Sequence, residues 1–361
     1  MTPFTYILRT AIACLCTLLY SCQQSAQTDT SSQPSSQNQT SSSSSRPVWL
    51  GLVGDTADIQ ASTQSGTVLM GGSTDVDEAM RWMLERAGGG DVVVIRASGS
   101  TGYNNYLFTL GAKVNSVETL LINSRELANN PEIERRMRNA EMLFIAGGDQ
   151  ANYVNFWRNT RVHEALNYLA NIKKIPIGGT SAGCAILGRL YFSALEGTIR
   201  SEEALANPFD RRITIGYNDF LAIPFLSHTI TDTHYDNPDR LGRHTTFIAR
   251  IIRDSTPSSF IRGIGVEERT AVAINAEGKA TVFGAGRAYF LWQNGTDSTP
   301  EECMPNRPLT WHRNNQALRA YVIAGSTQGN GTFDLTNWSG GQHSGGRLGF
   351  VSVRNGMVFQ Q

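Results

Sequence analysis

Ser181 stands in Gly178-Gly179-Thr180-Ser181-Ala182-Gly183, after the apolar run Lys174-Ile175-Pro176-Ile177 and before the helical stretch Cys184-Ala185-Ile186-Leu187. Gly-x-Ser-x-Gly between a strand and a helix is the setting of a nucleophile elbow. Such a turn is sharp, and glycines at 179 and 183 let neighbouring backbone pass close to the serine. At a helix N-terminus, free N–H groups and the dipole favour an anion that develops during reaction. The same glycines also fit a phosphate-binding or purely structural turn, so the groups that could act with Ser181 decide the reading.

A nucleophilic serine needs a base. The chain offers His163, His228, His234, His244, His312 and His343. His163 falls within an amphipathic helical pattern, which predicts a surface residue, and His312 and His343 belong to the polar C-terminal part. His234 differs, because residues 225–231 read as a strand and Thr231-Asp232-Thr233-His234-Tyr235 sits where it ends. A zinc site made of His228, His234 and His244 is disfavoured, since no two of them are spaced i, i+4 and no cysteine clusters with them. No metal and no cofactor is expected.

The surrounding pattern supplies the elements that would position these groups. Val48-Trp49-Leu50-Gly51-Leu52-Val53 reads as a strand, as does Gly66-Thr67-Val68-Leu69-Met70, which ends in Gly71-Gly72. Thr74-Asp75-Val76-Asp77 predicts a helix start with a hydroxyl cap and early acids. Val76, Ala79, Met80, Met83 and Leu84 continue it at helical spacing. Gly88-Gly89-Gly90 stops it before the apolar strand Asp91-Val92-Val93-Val94-Ile95. A second helical segment, 132–140, precedes Met142-Leu143-Phe144-Ile145-Ala146 and the loop Gly147-Gly148-Asp149-Gln150. Val162, Leu166 and Leu169 stripe a third. Alternating strands and helices predict a parallel α/β sheet covered on both faces, with ligands at the strands' carboxyl ends. After Thr270 short strands separated by Gly and polar turns take over, and residues 296–361 read as a β-rich C-terminal extension.

Of the 361 residues, 40% are apolar and 17% charged, with a formal net charge of zero. That balance gives no electrostatic reason to expect a nucleic-acid partner. Residues 1–22 carry one early positive charge and an apolar run too short to span a bilayer as a finished helix, which predicts a signal peptide. Leu19-Tyr20-Ser21-Cys22 resembles a bacterial lipobox, predicting lipidation of Cys22, membrane attachment through that anchor alone and a place in the bacterial cell envelope, periplasmic or outer-membrane. Residues 23–46, almost all Ser, Gln, Thr and Asn, predict a disordered tether, and 47–295 the main domain. Cys184 and Cys303 remain, with Cys184 expected as a buried core residue rather than a disulfide partner.

Phe144-Ile145-Ala146-Gly147-Gly148-Asp149-Gln150, Gly179-Thr180-Ser181-Ala182-Gly183 and Asp232-Thr233-His234-Tyr235 followed by Arg240-Leu241-Gly242-Arg243 resemble, in this order, the cyanophycinase and dipeptidase E family of serine peptidases (peptidase family S51). Gly72-Ser73-Thr74-Asp75-Val76-Asp77-Glu78-Ala79 is similar to its secreted cyanophycinase-like branch. The resemblance covers residues 48–291. It implies a flavodoxin-like parallel sheet related to class I glutamine amidotransferases. It implies Ser181 as nucleophile, His234 as base and N–H groups of Gly148 and Ala182 as an oxyanion hole. The family's acid follows the serine helix, leaving Glu196, Glu202 and Glu203, of which Glu203 is preferred because it falls beyond the strand-like Gly197-Thr198-Ile199.

Gln150, Asp232, Arg240 and Arg243 are the substrate-binding candidates, the two arginines as contacts for carboxylates. Cyanophycin hydrolases carry Gln between the Asp and the His and three Arg after it. Here Thr233 and Pro238 depart from that pattern, which points away from cyanophycin and toward other small or acidic peptides. A homodimer is left open. Two other readings are a non-enzymatic cell-surface binding protein on the same fold and an esterase of the α/β-hydrolase type. The second is disfavoured because His234 lies far from the C-terminus and no His-Gly-Gly precedes Ser181.

Overall fold

A computed structural model describes residues 49–361 except 112, 255–259 and 296. The predicted signal segment, Cys22 and the polar tether lie outside the described residues. The chain lays down β1 (Trp49–Gly54), β2 (Gly66–Met70), β3 (Asp91–Arg96), β4 (Ser116–Leu121), β5 (Met142–Ile145) and β6 (Pro176–Thr180) in one sheet. It then builds a second sheet with β7 (Leu190–Phe192), β8 (Ile215–Tyr217), β9 (Thr229–Asp232) and β10 (Arg262–Val266). β11 (Thr270–Asn275) and β12 (Lys279–Gly284) return to the first sheet, and β13 (Arg287–Gln293) and β14 (Leu318–Ala324) to the second. β15 (Asn330–Asp334) closes the first sheet, and β16 (Gly346–Arg354) and β17 (Met357–Gln360) the second.

The first sheet runs β1-β4-β3-β5-β6-β2-β11-β12-β15. Its centre, from β4 through β2, is parallel, and the strands beyond it pair antiparallel. This is the α/β sheet that the alternating pattern predicts. The second sheet, β17-β16-β14-β13-β10-β9-β7-β8, is not legible in that pattern. Only β7, β9 and β10 run parallel in it. The β-rich C-terminal residues are continuous with both sheets, because β14 pairs with β13 and β15 with β12.

Side-chain alternation explains how the layers stack. Val92 and Val94 of β3 join Met80, Met83 and Phe144 under the helix Asp77–Arg86. Val93 and Ile95 face the other way, into a core shared with Trp157, Leu166 and, across the gap, Ile264, Val266 and Phe290 of the second sheet. Trp157 is fully buried, stacks on Tyr153 at 4.3 Å and donates its indole N–H to Ile122 O at 2.8 Å. Truncating such a residue costs about 3–5 kcal/mol.

Helix starts differ in how their first N–H groups are met. Pro131–Asn139 begins with Pro at its first turn, and the Asn130 side chain accepts from Glu132 and Ile133 N–H. The helix predicted from Thr74 begins at Asp77 with no side-chain cap. Asp75 is drawn away instead by Tyr103, whose hydroxyl donates to Oδ2 at 2.6 Å. Cys184 and Cys303 are both buried and unpaired, and burial pushes the Cys303 thiol up to about 11.

Candidate active site

Ser181 follows the last residue of β6 and caps the short helix Ala182–Ala185. Its backbone lies at φ +52°, ψ −122°, a region that costs a non-glycine residue about 1–3 kcal/mol. Close packing holds the turn there. A Cβ at Gly183 would fall 2.2 Å from Ile145 O, and one at Gly179 would fall 2.6 Å from the Gly183 carbonyl. Both positions therefore require glycine, for the reason the sequence suggested. The Ser181 N–H donates to Met70 O at 3.1 Å, tying the turn to the end of β2.

His234 comes from the other sheet, two residues past the end of β9, and also has a positive φ of 50°. Its Nε2 lies 2.8 Å from Ser181 Oγ, and its Nδ1 lies 2.7 Å from Glu268 Oε1. With the carboxylate on Nδ1, the proton belongs on that nitrogen and the Nε2 lone pair faces the hydroxyl. His234 and Glu268 side chains are 24% and 18% exposed, so the group is sheltered yet reachable. A serine hydroxyl in this arrangement can lose its proton to the imidazole as it attacks a carbonyl carbon.

Glu268 is the residue that sequence reasoning missed. β10 runs parallel to β9 with Gly265 opposite Asp232, so the segments leaving the two strands travel side by side. Tyr235 N–H extends that pairing by donating to Val266 O at 3.2 Å. Glu267-Glu268-Arg269 then crosses from β10 in the second sheet to β11 in the first. The signal was present as two acids directly after the apolar Ile264-Gly265-Val266, but reading it required knowing that β10 is β9's neighbour.

Glu203, read from the sequence as the acid, lies elsewhere. Its carboxylate accepts from Arg200 N–H and from Arg212, each at 3.0 Å, closing the start of the helix Ser201–Ala206. Of the other two candidates, Glu196 pairs with Arg211 at 3.0 Å and Glu202 lies 4.0 Å from Arg200. The acid that contacts His234 is none of these three but Glu268, one sheet crossing later in the chain.

The glycine pair after β2 stitches the three segments together. Gly71 O accepts from His234 N–H at 2.8 Å, and Gly72 O from Arg269 N–H at 3.0 Å. A Cβ on Gly72, which has φ +102°, would land 2.4 Å from His234 Nε2. Any side chain there would displace the imidazole from the serine. On the other side, Gly147 sits so near that its Cβ would lie 3.3 Å from Ser181 Cβ. The Ala182 N–H is the first of its helix and has no acceptor within it. The Gly148 N–H donates to no other group among the described residues. Gln150, at the start of the next helix, donates from Nε2 to Phe192 O at 3.3 Å.

Asp232 and Arg243, expected to meet substrate, meet each other. Arg243 donates from Nε and a terminal nitrogen to the two Asp232 oxygens at 2.8 and 2.5 Å, and also to Ile199 O and Thr198 Oγ1. Its guanidinium lies beside the stacked rings of Phe192 and Phe247, 5.4 and 5.7 Å from their centroids. The two side chains are 3% and 2% exposed, which leaves no face for a ligand. Burial alone would raise the Asp232 pKa, but the Arg243 charge outweighs it and holds the carboxyl below its usual value. Arg240 is different. It donates to Thr233 O at 3.1 Å, lies 4.0 Å from Asp232, and is only partly covered. Its Nε is buried without a partner.

The remaining histidines have structural partners or none near the serine. His163 accepts from Asn159 N–H and reaches Phe220 O, His343 lies between Asp334 N–H and Trp338 O, and His228 is exposed. His244 is fully buried. Its Nε2 reaches Ile230 O at 3.2 Å and its Nδ1 takes the Tyr235 hydroxyl at 3.0 Å, and burial lowers its pKa to about 4.

Residues 67–282 match the model of peptidase family S51. The chain is 24% identical over 274 residues to a cyanophycinase of Nostoc sp. (strain PCC 7120 / SAG 25.82 / UTEX 2576), covering 73% of this chain and 84% of that protein. It is 27% identical over 239 residues to a cyanophycinase of Synechococcus elongatus, covering 63% of this chain and 68% of that one. The crystal structure of a peptidase from an acI-B1 Actinobacterium superposes with a TM-score of 0.46 at 16% identity, covering 64% of this chain and 91% of that one. With the family's model spanning more than half its length, this chain belongs to peptidase family S51 and is a serine-type peptidase.

Proposed function

We propose that Ser181, His234 and Glu268 form the catalytic triad of a peptidase that hydrolyses amide bonds of small or acidic peptides. The observation that carries this reading is the continuous hydrogen-bonded line from Ser181 Oγ through His234 to Glu268, at 2.8 and 2.7 Å. Glu268 fixes the imidazole tautomer and stabilises the imidazolium that forms as Ser181 attacks. His234 then returns the proton to the leaving amine, and water repeats the sequence on the acyl-enzyme. The N–H groups of Gly148 and Ala182 are the proposed donors to the tetrahedral oxyanion. Arg240 is the proposed contact for a substrate carboxylate, since its guanidinium makes one hydrogen bond and stays partly open. Gln150, beside the Gly147–Gly148 loop, is the proposed polar contact on the opposite wall.

Cyanophycin, named in the relatives, is proposed as a poor substrate here beside a short aspartyl peptide. The support is Thr233 in place of Gln and Pro238 in place of Arg, at positions adjoining the base. We also propose that lipidation of Cys22 holds the protein at a bacterial envelope membrane, on the strength of the lipobox-like Leu19 to Cys22 and the polar tether.

The test of the triad is Ser181→Ala beside His234→Ala, assayed on aspartyl dipeptides and cyanophycin. Each is expected to lower kcat by at least about 10⁴-fold without unfolding, and the double variant to be no worse. Turnover retained by Ser181→Ala, with contaminating hydrolase excluded, would overturn the assignment.

A further inference from the structure

The outer face of the second sheet carries a groove of about 510 Å³, lined by residues of β13, β14, β16 and β17. Its floor is made of small side chains on alternating positions of β14, namely Ala320, Val322 and Ala324. Arg287 and Tyr289 of β13 form one wall, and Arg347 of β16 the other. The register puts Arg287 opposite Ala324, and Val322 opposite Arg347. The two arginines are therefore two strands apart and two residues offset, with Cα atoms roughly 12 Å from each other. An extended peptide covers that span in about three or four residues.

Arg287 is 60% exposed. The nearest acid, Glu267, is already engaged by Tyr289 OH at 2.9 Å and by the Arg287 N–H at 2.7 Å, and lies 3.8 Å from the guanidinium. Arg347 is exposed and makes no ion pair or side-chain hydrogen bond among the described residues. Arg347, without an ion pair among the described residues, and the largely exposed Arg287, which also meets Glu267 and Tyr289, thus line one trough.

It is joined to the active site through chain neighbours of the base and the acid. Glu267 precedes Glu268, and Tyr235 follows His234 and packs on Tyr289 with ring centroids 4.9 Å apart. Gly265 makes room for this, because a Cβ there would fall 2.4 Å from the Tyr235 ring. Arg287, on the wall of the groove, meets Glu267, the residue before Glu268.

We infer that this groove is an extended subsite for an anionic peptide segment, read by Arg287 and Arg347 while a neighbouring bond of the same peptide occupies Ser181. The inference rests on the peptidase reading for the identity of its occupant, and on charge complementarity for its chemistry. It moves the selection of acidic peptides away from Arg243, whose donors are consumed by Asp232.

The test uses the full-length Ser181→Ala protein and a fluorescently labelled oligo-aspartate of about ten residues, followed by anisotropy at low ionic strength. Replacing both Arg287 and Arg347 with Ala is expected to weaken Kd about tenfold, the range for two solvent-exposed charge pairs. Arg211→Ala, which removes the same charge from a distant exposed site, is expected to leave Kd unchanged. An oligo-glutamine of equal length is expected to bind at least tenfold more weakly than oligo-aspartate. Unchanged affinity in the double variant would overturn the proposal, as would an equal loss in Arg211→Ala. A single-stranded oligonucleotide that binds as tightly and loses as much would also overturn it, by making the surface a general anion site. Because Ser181→Ala does not turn over, a wild type that binds oligo-aspartate yet fails to cleave any peptide would refute the proposed function and leave the subsite standing.

Discussion

Asp232 and Glu268 both lie where strands of the second sheet end, one on each side of His234, and their surroundings are opposite. Asp232 is buried, gripped at both oxygens by Arg243. Glu268 is partly open, makes no ion pair with an arginine among the described residues, and gives Oε1 to the imidazole. A carboxylate neutralised by a bidentate arginine has little field left for a developing imidazolium. One bonded mainly to the imidazole keeps its charge available for that purpose. The two acids are chemically alike, and their partners separate a structural role from a catalytic one.

The sharpest way to break this comparison is to remove the acid from each. Glu268→Gln preserves shape but offers Nδ1 an amide, which favours the wrong tautomer. We expect a fall in kcat of roughly 10³- to 10⁴-fold with stability nearly unchanged. Glu203→Gln, at the surface pair with Arg212, should stay within about twofold of wild type in the same assay. If Glu203→Gln were the damaging change and Glu268→Gln the neutral one, the geometry described above would have no bearing on the reaction.

Much of this was legible before any fold was known. The turn around Ser181 announces itself through Gly179 and Gly183, because close backbone approach leaves no alternative to glycine. The end of β9 was visible in the switch from apolar residues to Asp232-Thr233-His234, and β2, β3, β5 and β6 in their apolar runs. What sequence could not supply is adjacency. Glu268 is 34 residues beyond His234 in numbering, and only the parallel pairing of β9 with β10 brings them together. Arg243 misled for a related reason. The family motif places it just after His234, but whether its guanidinium points to substrate or to Asp232 depends on Phe192 and Ile199, which arrive from other elements, and on Phe247, one turn along its own helix. Positive φ at Ser181 and His234 left no trace in residue type at all.

Removing Arg243 tests the structural half of the comparison. Arg243→Ala leaves Asp232 buried without its counter-charge, and the expected cost is about 3–5 kcal/mol of unfolding free energy. The paired replacement Asp232→Leu with Arg243→Met should cost less than Arg243→Ala alone, because the orphaned charge is gone. Urea denaturation of all three proteins measures this. On the fraction that remains folded, kcat/KM for acidic and neutral peptides should fall in equal proportion. A loss confined to acidic peptides would restore Arg243 as a substrate contact.

The smallest effect concerns His244, which shares the buried side with Asp232. Burial is the main reason its pKa falls from 6.5 to about 4, against the opposing pull of the Asp232 charge. The native ring is therefore neutral, with Nε2–H donating to Ile230 O and Nδ1 accepting from Tyr235 OH. Between pH 6.5 and 4 the unfolded chain binds a proton here that the native protein refuses. Stability from this group is thus complete above pH 6.5 and declines as pH falls toward 4, by about 1.4 kcal/mol per pH unit and roughly 3 kcal/mol in all. The Asp232 carboxyl, held below its usual value by Arg243, loses its contribution only at still lower pH. Glu118, Glu141 and Asp75 have pKa values raised by burial and push in the opposite direction within the same window. The measurable quantity is therefore the difference between wild type and His244→Gln, whose amide can keep both hydrogen bonds without titrating. Urea denaturation at pH 4.5 and pH 7 should give the wild type the steeper acid loss, by close to one proton. Parallel pH profiles for the two proteins would mean that the native ring takes up its proton as readily as the unfolded one, and that this side of His234 is wetter than its packing requires.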